Sequence, residues 1–309
     1  MANMIATRDA YGEALKELGG NNENIVVLDA DLSGSTKTSV FAKAYPERFF
    51  NVGIAEQNLV GTAAGLATAG KIPFASSFAM FATGRAFEII RNSVCYPKLN
   101  VKIAATHAGL TVGEDGATHQ ALEDISLMRS LPNMVVLSPA DAIETKQCIF
   151  KAAEHNGPVY IRLGRAKVPV IFDEDYKFEI GKAVELKEGK DITLIATGVM
   201  VAKALSASEK LAEEGISARV INMASIKPID EDIIIKAAKE TKGIVTVEEH
   251  SIIGGLGSAV AEVVSEKQPT RVIRIGTMDT FGESGDGFEL LDKYGLNIDN
   301  IVNKAKELL

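Results

Sequence analysis

Residues 106 to 120 read THAGLTVGEDGATHQ and hold two of the chain's four histidines, His107 and His119, beside Glu114 and Asp115. Imidazoles and carboxylates at this density supply donors, acceptors and exchangeable protons near neutral pH. Gly109, Gly113 and Gly116 loosen the backbone beneath them, so the stretch reads as a loop shaped for polar ligands rather than a core element. A second candidate is NVGIAEQN, residues 51 to 58, where Glu56 opens a small-residue helix just past a strand end. Taken alone, Glu56 is an acidic residue favoured by the positive end of a helix dipole. Phe78 and Phe81 in FAMF suit two core aromatics or a flat wall for a ring-shaped ligand.

Other motifs fail on context. GLATAGK at 65–71 fits G-x-x-x-x-G-K, but Ile72 stands where a magnesium-binding hydroxyl is needed, and the stretch ends a helix instead of opening one. GLG at 255–257 lacks the third glycine of a dinucleotide fingerprint, because that place is Val260; close helix-to-sheet packing is the better reading. Gly61 and Gly65 form G-x-x-x-G, which permits close approach of a second helix, including one across a subunit boundary.

A net charge of −8 without a basic run leaves no electrostatic footprint for nucleic acid or an anionic membrane. The partner is expected to be a small molecule or a protein. Cys95 and Cys148 are too few for a disulfide scaffold or a zinc site, which fits a reducing, cytoplasmic setting. MANMIATRDAYGEAL reaches charge at Arg8 without an apolar run, against a signal peptide. The most apolar stretch, 57–84, is broken by Lys71 into uncharged runs of 14 and 13 residues, short of the ~20 a spanning helix needs.

The elements that must carry these residues follow from periodicity. Val- and Ile-rich runs alternate with amphipathic segments, the pattern of an α/β protein with a parallel sheet. Strands are expected within 24–30, 48–53, 72–78, 101–107, 133–138 and 158–163. SPADAIETKQCIFKAAEH reads as a helix with Ser138 as N-cap and Pro139 at its first position. Periodicity fails from 164 to 190, where a linker with short strands is expected. A second βαβ set then runs to a last helix ending at Leu309.

IAEQNLVGTAAGLATAG, FAMFATGRAFEIIR, HAGLTVGEDGATHQALED and LPNMVVLSPAD follow at spacings that resemble the pyrimidine-binding and C-terminal domains of transketolase, over essentially the whole chain. The resemblance implies a parallel-sheet pyrimidine-binding domain over 1–168, a linker over 169–190 and a smaller α/β C-terminal domain over 191–309. It implies thiamine diphosphate as cofactor, with Glu56 hydrogen-bonded to the aminopyrimidine and promoting the tautomer that collects the C2 proton. Phe78 and Phe81 match the aromatic patch on that ring, although Gly84 stands roughly where many members carry a third aromatic. Asp31 would sit beside the pocket. By the same resemblance His119 faces the donor ketose near the reacting carbons, as a catalytic residue, and Asp115 reads the hydroxyl next to the acceptor aldehyde. Arg8, Ser35, His107 and Arg165 would hold the sugar phosphate, a guanidinium fork suiting phosphate oxygens.

Gly285-Asp286-Gly287 resembles the start of the family's magnesium and diphosphate motif, but only 22 residues follow it; a solvated loop is expected there. Mg2+ ligands are therefore assigned to a partner, an N-terminal transketolase subunit, in an α2β2 assembly, with no metal site in this chain. The implied function is ketol transfer between sugar phosphates. The alternatives are a 1-deoxyxylulose-5-phosphate synthase-like subunit, although its glutamate motif usually ends in histidine where Asn58 stands, a 2-oxoacid dehydrogenase beta-type subunit, and a regulatory subunit without turnover.

Overall fold

The computed structural model describes residues 3–309. The larger sheet has seven strands, in the order Ser225–Lys227, Val135–Leu137, Val159–Arg162, Lys102–Ala105, Ile72–Ser76, Ile25–Asp29 and Phe49–Asn51. Neighbours run parallel, except that Ser225–Lys227 lies antiparallel to Val135–Leu137. Each strand run expected before residue 164 contains one of these strands, with frayed ends. The runs are apolar throughout because helices cover both faces: Val26 and Leu28 join a core with Leu59, Ala63 and Ile90, while Ile25 and Val27 join one with Tyr11, Phe41 and Ile149. Lys102 departs from that pattern. It is fully buried, and its ammonium donates to the carbonyls of His155 and Gly157, each at 2.7 Å; burial pushes it down to about 7.

The smaller sheet runs Val272–Thr277, Ile244–Ser251, Ile192–Ala196, Ala218–Asn222 and Val184–Lys187, parallel but for the last, antiparallel edge strand. The segment between the sheets is not featureless: Lys167–Pro169 pairs with Met4–Ala6, and Val184–Lys187 supplies that edge.

Three local expectations need correcting. The helix after Val135–Leu137 begins at Ala142, and its cap is Asp141, not Ser138, because the Asp141 carboxylate accepts from the Glu144 N–H at 2.8 Å. The last helix is two, Gly287–Lys293 and Ile298–Lys306, separated at Gly295 with its φ of +76° and restarted by the Asn297 cap. Gly285-Asp286-Gly287 is a loop only as far as exposed Asp286, which caps the first of these helices, accepting from the Phe288 and Glu289 N–H groups. A Cβ on Gly287 would stand 3.0 Å from Thr111 Cα, so this corner packs on the histidine loop. Gly65 lies inside the helix Glu56–Thr68 and Lys71 directly precedes a strand. Among the described residues no helix is long and apolar enough to cross a membrane.

Asp141 and Glu144 fasten the two sheets together. Asp141 also accepts from the Ile171 and Phe172 N–H groups, at 2.6 and 2.9 Å. Fully buried Glu144 accepts from the Tyr176 hydroxyl at 2.6 Å, Asn222 Nδ2 at 2.7 Å and the Ala140 N–H at 2.7 Å. Burial raises its carboxyl to about 7, from an ordinary 4.5. The folded chain therefore binds more protons than the unfolded chain between those values, and this group's contribution to stability declines as pH rises through the window. Glu144→Gln removes the titration and points an amide at three donors. It should be less stable at every pH, but its deficit against wild type in urea unfolding should shrink as pH rises from 4.5 to about 7; a pH-independent deficit would contradict the assignment.

Candidate active site

The site is assembled from the carboxyl ends of parallel strands, where an α/β sheet gathers loops. Asp29 and Asn51 are paired neighbours at two such ends. Beyond Asn51 the chain turns at Gly53, whose φ of +74° and N–H bond to the Asn51 side chain set up the helix entered at Glu56. Asn51 Nδ2 also donates to Asp31 at 2.8 Å, which holds that exposed aspartate, with its φ of +64°, at the same edge.

Glu56 is only 4% exposed. Among the described residues its carboxylate accepts hydrogen bonds from Arg85 Nη1 alone, at 3.3 Å to each oxygen. The Arg85 guanidinium lies 4.3 Å over the centre of the Phe81 ring. A planar cationic N–C–N unit is thus held between a buried carboxylate and an aromatic face. Those are the contacts an aminopyrimidine makes, with an N–H to the carboxylate and a flat face on the ring, so these residues fit that part of thiamine diphosphate.

Phe78 stacks with Phe81 at 5.9 Å and with His107 at 3.8 Å. His119 stands edge-on to Phe81 at 5.2 Å. The two histidines and two phenylalanines singled out from sequence therefore form one cluster adjoining Glu56. His107 has its backbone in the left-handed region, φ +57°, which re-aims the ring at the end of strand Lys102–Ala105. Its Nε2 faces Arg8 Nη1 at 3.0 Å and its Nδ1 faces the Thr106 hydroxyl at 2.9 Å. Arg8 can only donate, so Nε2 accepts and the ring proton sits on Nδ1. Burial, reinforced by Arg8, Arg165, His119 and Lys37, pushes this imidazole down to about 3.

Arg8 also donates to the Ser35 carbonyl at 3.1 Å. Burial, with Arg165 adding to it and Asp9 opposing, pulls the Arg8 guanidinium below its usual value. Arg165 donates to Val112 O and Glu114. Arg8, the Ser35 carbonyl and His107 are thus joined by direct contacts, with His107 committed on both nitrogens, whereas Arg165 is engaged with the histidine loop. Lys37, missed in the sequence, pairs with Asp9 at 3.3 Å and adds to the positive field at His107. Asp115 lies exposed at the end of the turn Leu110–Asp115 and forms no ion pair or side-chain hydrogen bond among the described residues.

What shapes the histidine loop from behind was also missed. Arg162 Nε donates to buried Asp124 at 2.8 Å, and its Nη2 to the Glu249 carbonyl at 2.8 Å. The Tyr160 hydroxyl adds 2.6 Å to Asp124. Glu249, on the smaller sheet, accepts from the Thr111 N–H at 2.6 Å and lies where a Cβ on Gly109 would be. Gln120 ties the loop's far end to the Glu283 carbonyl at 2.9 Å. The links through Glu249 and Glu283 join residues more than 80 apart, so no local pattern announces them.

The family model for the transketolase pyrimidine-binding domain matches residues 3–170, and that for the transketolase C-terminal domain matches 181–301. The chain belongs to the transketolase family. A protein of Methanocaldococcus jannaschii named "Putative transketolase C-terminal section" is 59% identical over 303 residues, covering 97% of this chain and 95% of that one. A 6-deoxy-6-sulfo-D-fructose transketolase subunit of a Clostridium species is 44% identical, covering 97% and 94%. A solved structure described as a split gene transketolase, inactive beta4 tetramer, matches with a TM-score of 0.93 and 63% identity, covering 99% of this chain and 98% of that one.

The contacts of His107 give its tautomer a direct check. In nitrogen-15 spectra of the chain, His107 should appear as the neutral Nδ1–H form and stay so from pH 8 to 5, since its shifted value is about 3. A resonance titrating near the ordinary ~6.5 would show that Arg8 does not donate to it.

Proposed function

We propose that this chain is the C-terminal subunit of a two-chain transketolase, moving a two-carbon ketol unit from a ketose phosphate to an aldose phosphate. The observation that carries this reading is the pairing of a buried Glu56 carboxylate with the Phe81 face around a planar N–C–N group. Thiamine diphosphate, bound there, would supply a carbon nucleophile and an electron sink for breaking and making the carbon–carbon bond. Glu56 would accept a hydrogen bond from the pyrimidine and hold the proton exchanged with it. Phe78 and Phe81 would wall off one face and exclude water, and Asp31 would border the pocket. His119, edge-on to Phe81, would donate to the donor's oxygen near the bond being made, and Asp115 would read the acceptor's hydroxyl.

Arg8, Arg165, Lys37, Ser35 and His107 would receive the tetrahedral anion at the sugar's far end. His107 would act by holding Arg8 and lining the site, its nitrogens being taken. The name of the Clostridium relative carries a sulfo group at the sugar's sixth carbon, so a sulfonate and a phosphate are both chemistries such a cluster recognises.

An N-terminal subunit would supply Mg2+ and most diphosphate contacts. In support, Asp286 of the Gly-Asp-Gly stretch is engaged as a helix cap. The outward face of the helix Glu56–Thr68 supports the seam: a Cβ on Gly61 or Gly65 would meet nothing within 4 Å, leaving those glycines open to another chain. The inactive beta4 tetramer of the similar split transketolase also fits a chain that needs its other half. An α2β2 assembly in the cytoplasm follows from this reading.

The chain alone, with thiamine diphosphate and Mg2+, should not transfer ketol groups, and mixing with the N-terminal chain should give turnover of xylulose 5-phosphate with ribose 5-phosphate. Turnover only of pyruvate with glyceraldehyde 3-phosphate would replace the reading with the synthase, and turnover by the chain alone would remove the partner. In the mixture, Glu56→Gln should slow both turnover and exchange of the cofactor's C2 proton by about 100- to 10,000-fold; wild-type exchange would cancel the role of Glu56.

A further inference from the structure

Arg85 is a residue to which neither composition nor motif assigned a part. Its side chain is 53% exposed, against 3% for Glu56, so in this pair the carboxylate is fixed and the guanidinium is the movable member. Its backbone is anchored, because the Arg85 carbonyl accepts from Gln57 Nε2 at 3.3 Å. Gly84 beside it offers no side chain, and a Cβ there would meet only the flexible end of Met80, at 3.2 Å. The guanidinium thus sits at the end of a flexible, half-exposed side chain that can turn into solvent.

We propose that Arg85 is a self-ligand of the cofactor seat, occupying the Glu56 carboxylate and the Phe81 face until thiamine diphosphate displaces it. The inference rests on the reading that thiamine diphosphate binds at Glu56. Two groups that need the same carboxylate and the same ring face compete, so the cofactor binds the fraction of molecules in which Arg85 has swung out, and its apparent affinity is reduced by that fraction. The same contact keeps the buried carboxylate partnered while the seat lacks cofactor, avoiding the cost of an unpaired buried charge. Arg85 is therefore an affinity-setting residue and leaves the chemistry to Glu56. A half-exposed ion pair and an exposed cation–π contact are each modest, and their joint loss corresponds to about a tenfold change in binding.

Calorimetric titration of thiamine diphosphate, with Mg2+ present, into the chain assembled with its N-terminal partner tests this. Arg85→Ala should bind about tenfold more tightly than wild type, and Arg85→Lys, which keeps the charge but loses the plane, should fall between them. In parallel, the cofactor should raise the melting temperature of the Arg85→Ala complex by more than that of wild type, a comparison that reports folding as well as binding. Equal or weaker binding by Arg85→Ala, with wild type binding normally, overturns the self-ligand and leaves the cofactor reading standing. Absence of binding by wild type and both variants removes the cofactor reading and the self-ligand with it.

Discussion

Glu56 is buried at the first turn of a helix, and its two oxygens share one nitrogen of Arg85 at 3.3 Å each, longer than the ~2.7–2.9 Å usual for charge-assisted hydrogen bonds. A carboxylate removed from water needs compensation, and here the compensation is thin. The helix dipole contributes favourably at that position, and a guanidinium wedged over Phe81 supplies the rest. A side chain so placed is poor for stability and well suited to an incoming donor. The neighbouring aromatics, the histidine cluster and the glycine turn that aims the helix are arranged around that deficit.

Opposite that deficit stands a buried network that is closed except at Asp124 Oδ1, which has no partner among the described residues. Arg162 joins Asp124, the Ala121 and Glu249 carbonyls and, at 4.0 Å, the Glu249 carboxylate, while Glu249 holds the Thr111 N–H. Breaking such a buried pair typically costs about 3–5 kcal/mol, so the loop carrying His119 and Asp115 is held from behind by the smaller sheet. Glu248 does a related task, accepting from the Leu256 and Gly257 N–H groups and so fixing the glycine-rich helix start against the strand Ile244–Ser251. The C-terminal domain thereby shapes a site whose proposed ligand-binding residues lie before residue 170.

Strands and their order of appearance were legible because a sheet covered on both faces demands continuous apolar runs. The histidine loop and Glu56 stood out because their residue types serve no core, whereas the FAMF aromatics, which also suit a core, gained a role only from the resemblance. Ser138 looked like the helix cap from spacing alone, but the Asp141 carboxylate has three backbone N–H partners, one in the helix start and two in the linker, which only the tertiary arrangement reveals. Arg85 and Lys37 were hidden for the same reason: each is an ordinary surface cation until the fold places it against Glu56 or beside Arg8. The paired helices at the C-terminus hinge on Gly295 and Asn297, a local stop-and-restart signal passed over in favour of one long periodicity.

Because the account turns on one carboxylate meeting one ring, the most direct measurement is a crystal structure of the chain with its N-terminal partner, thiamine diphosphate and Mg2+. The account predicts a Glu56 oxygen within about 2.6–3.2 Å of a pyrimidine nitrogen, the ring lying on Phe81, and Arg85 moved aside. A structure with Glu56 still on Arg85 and the cofactor held elsewhere would contradict it.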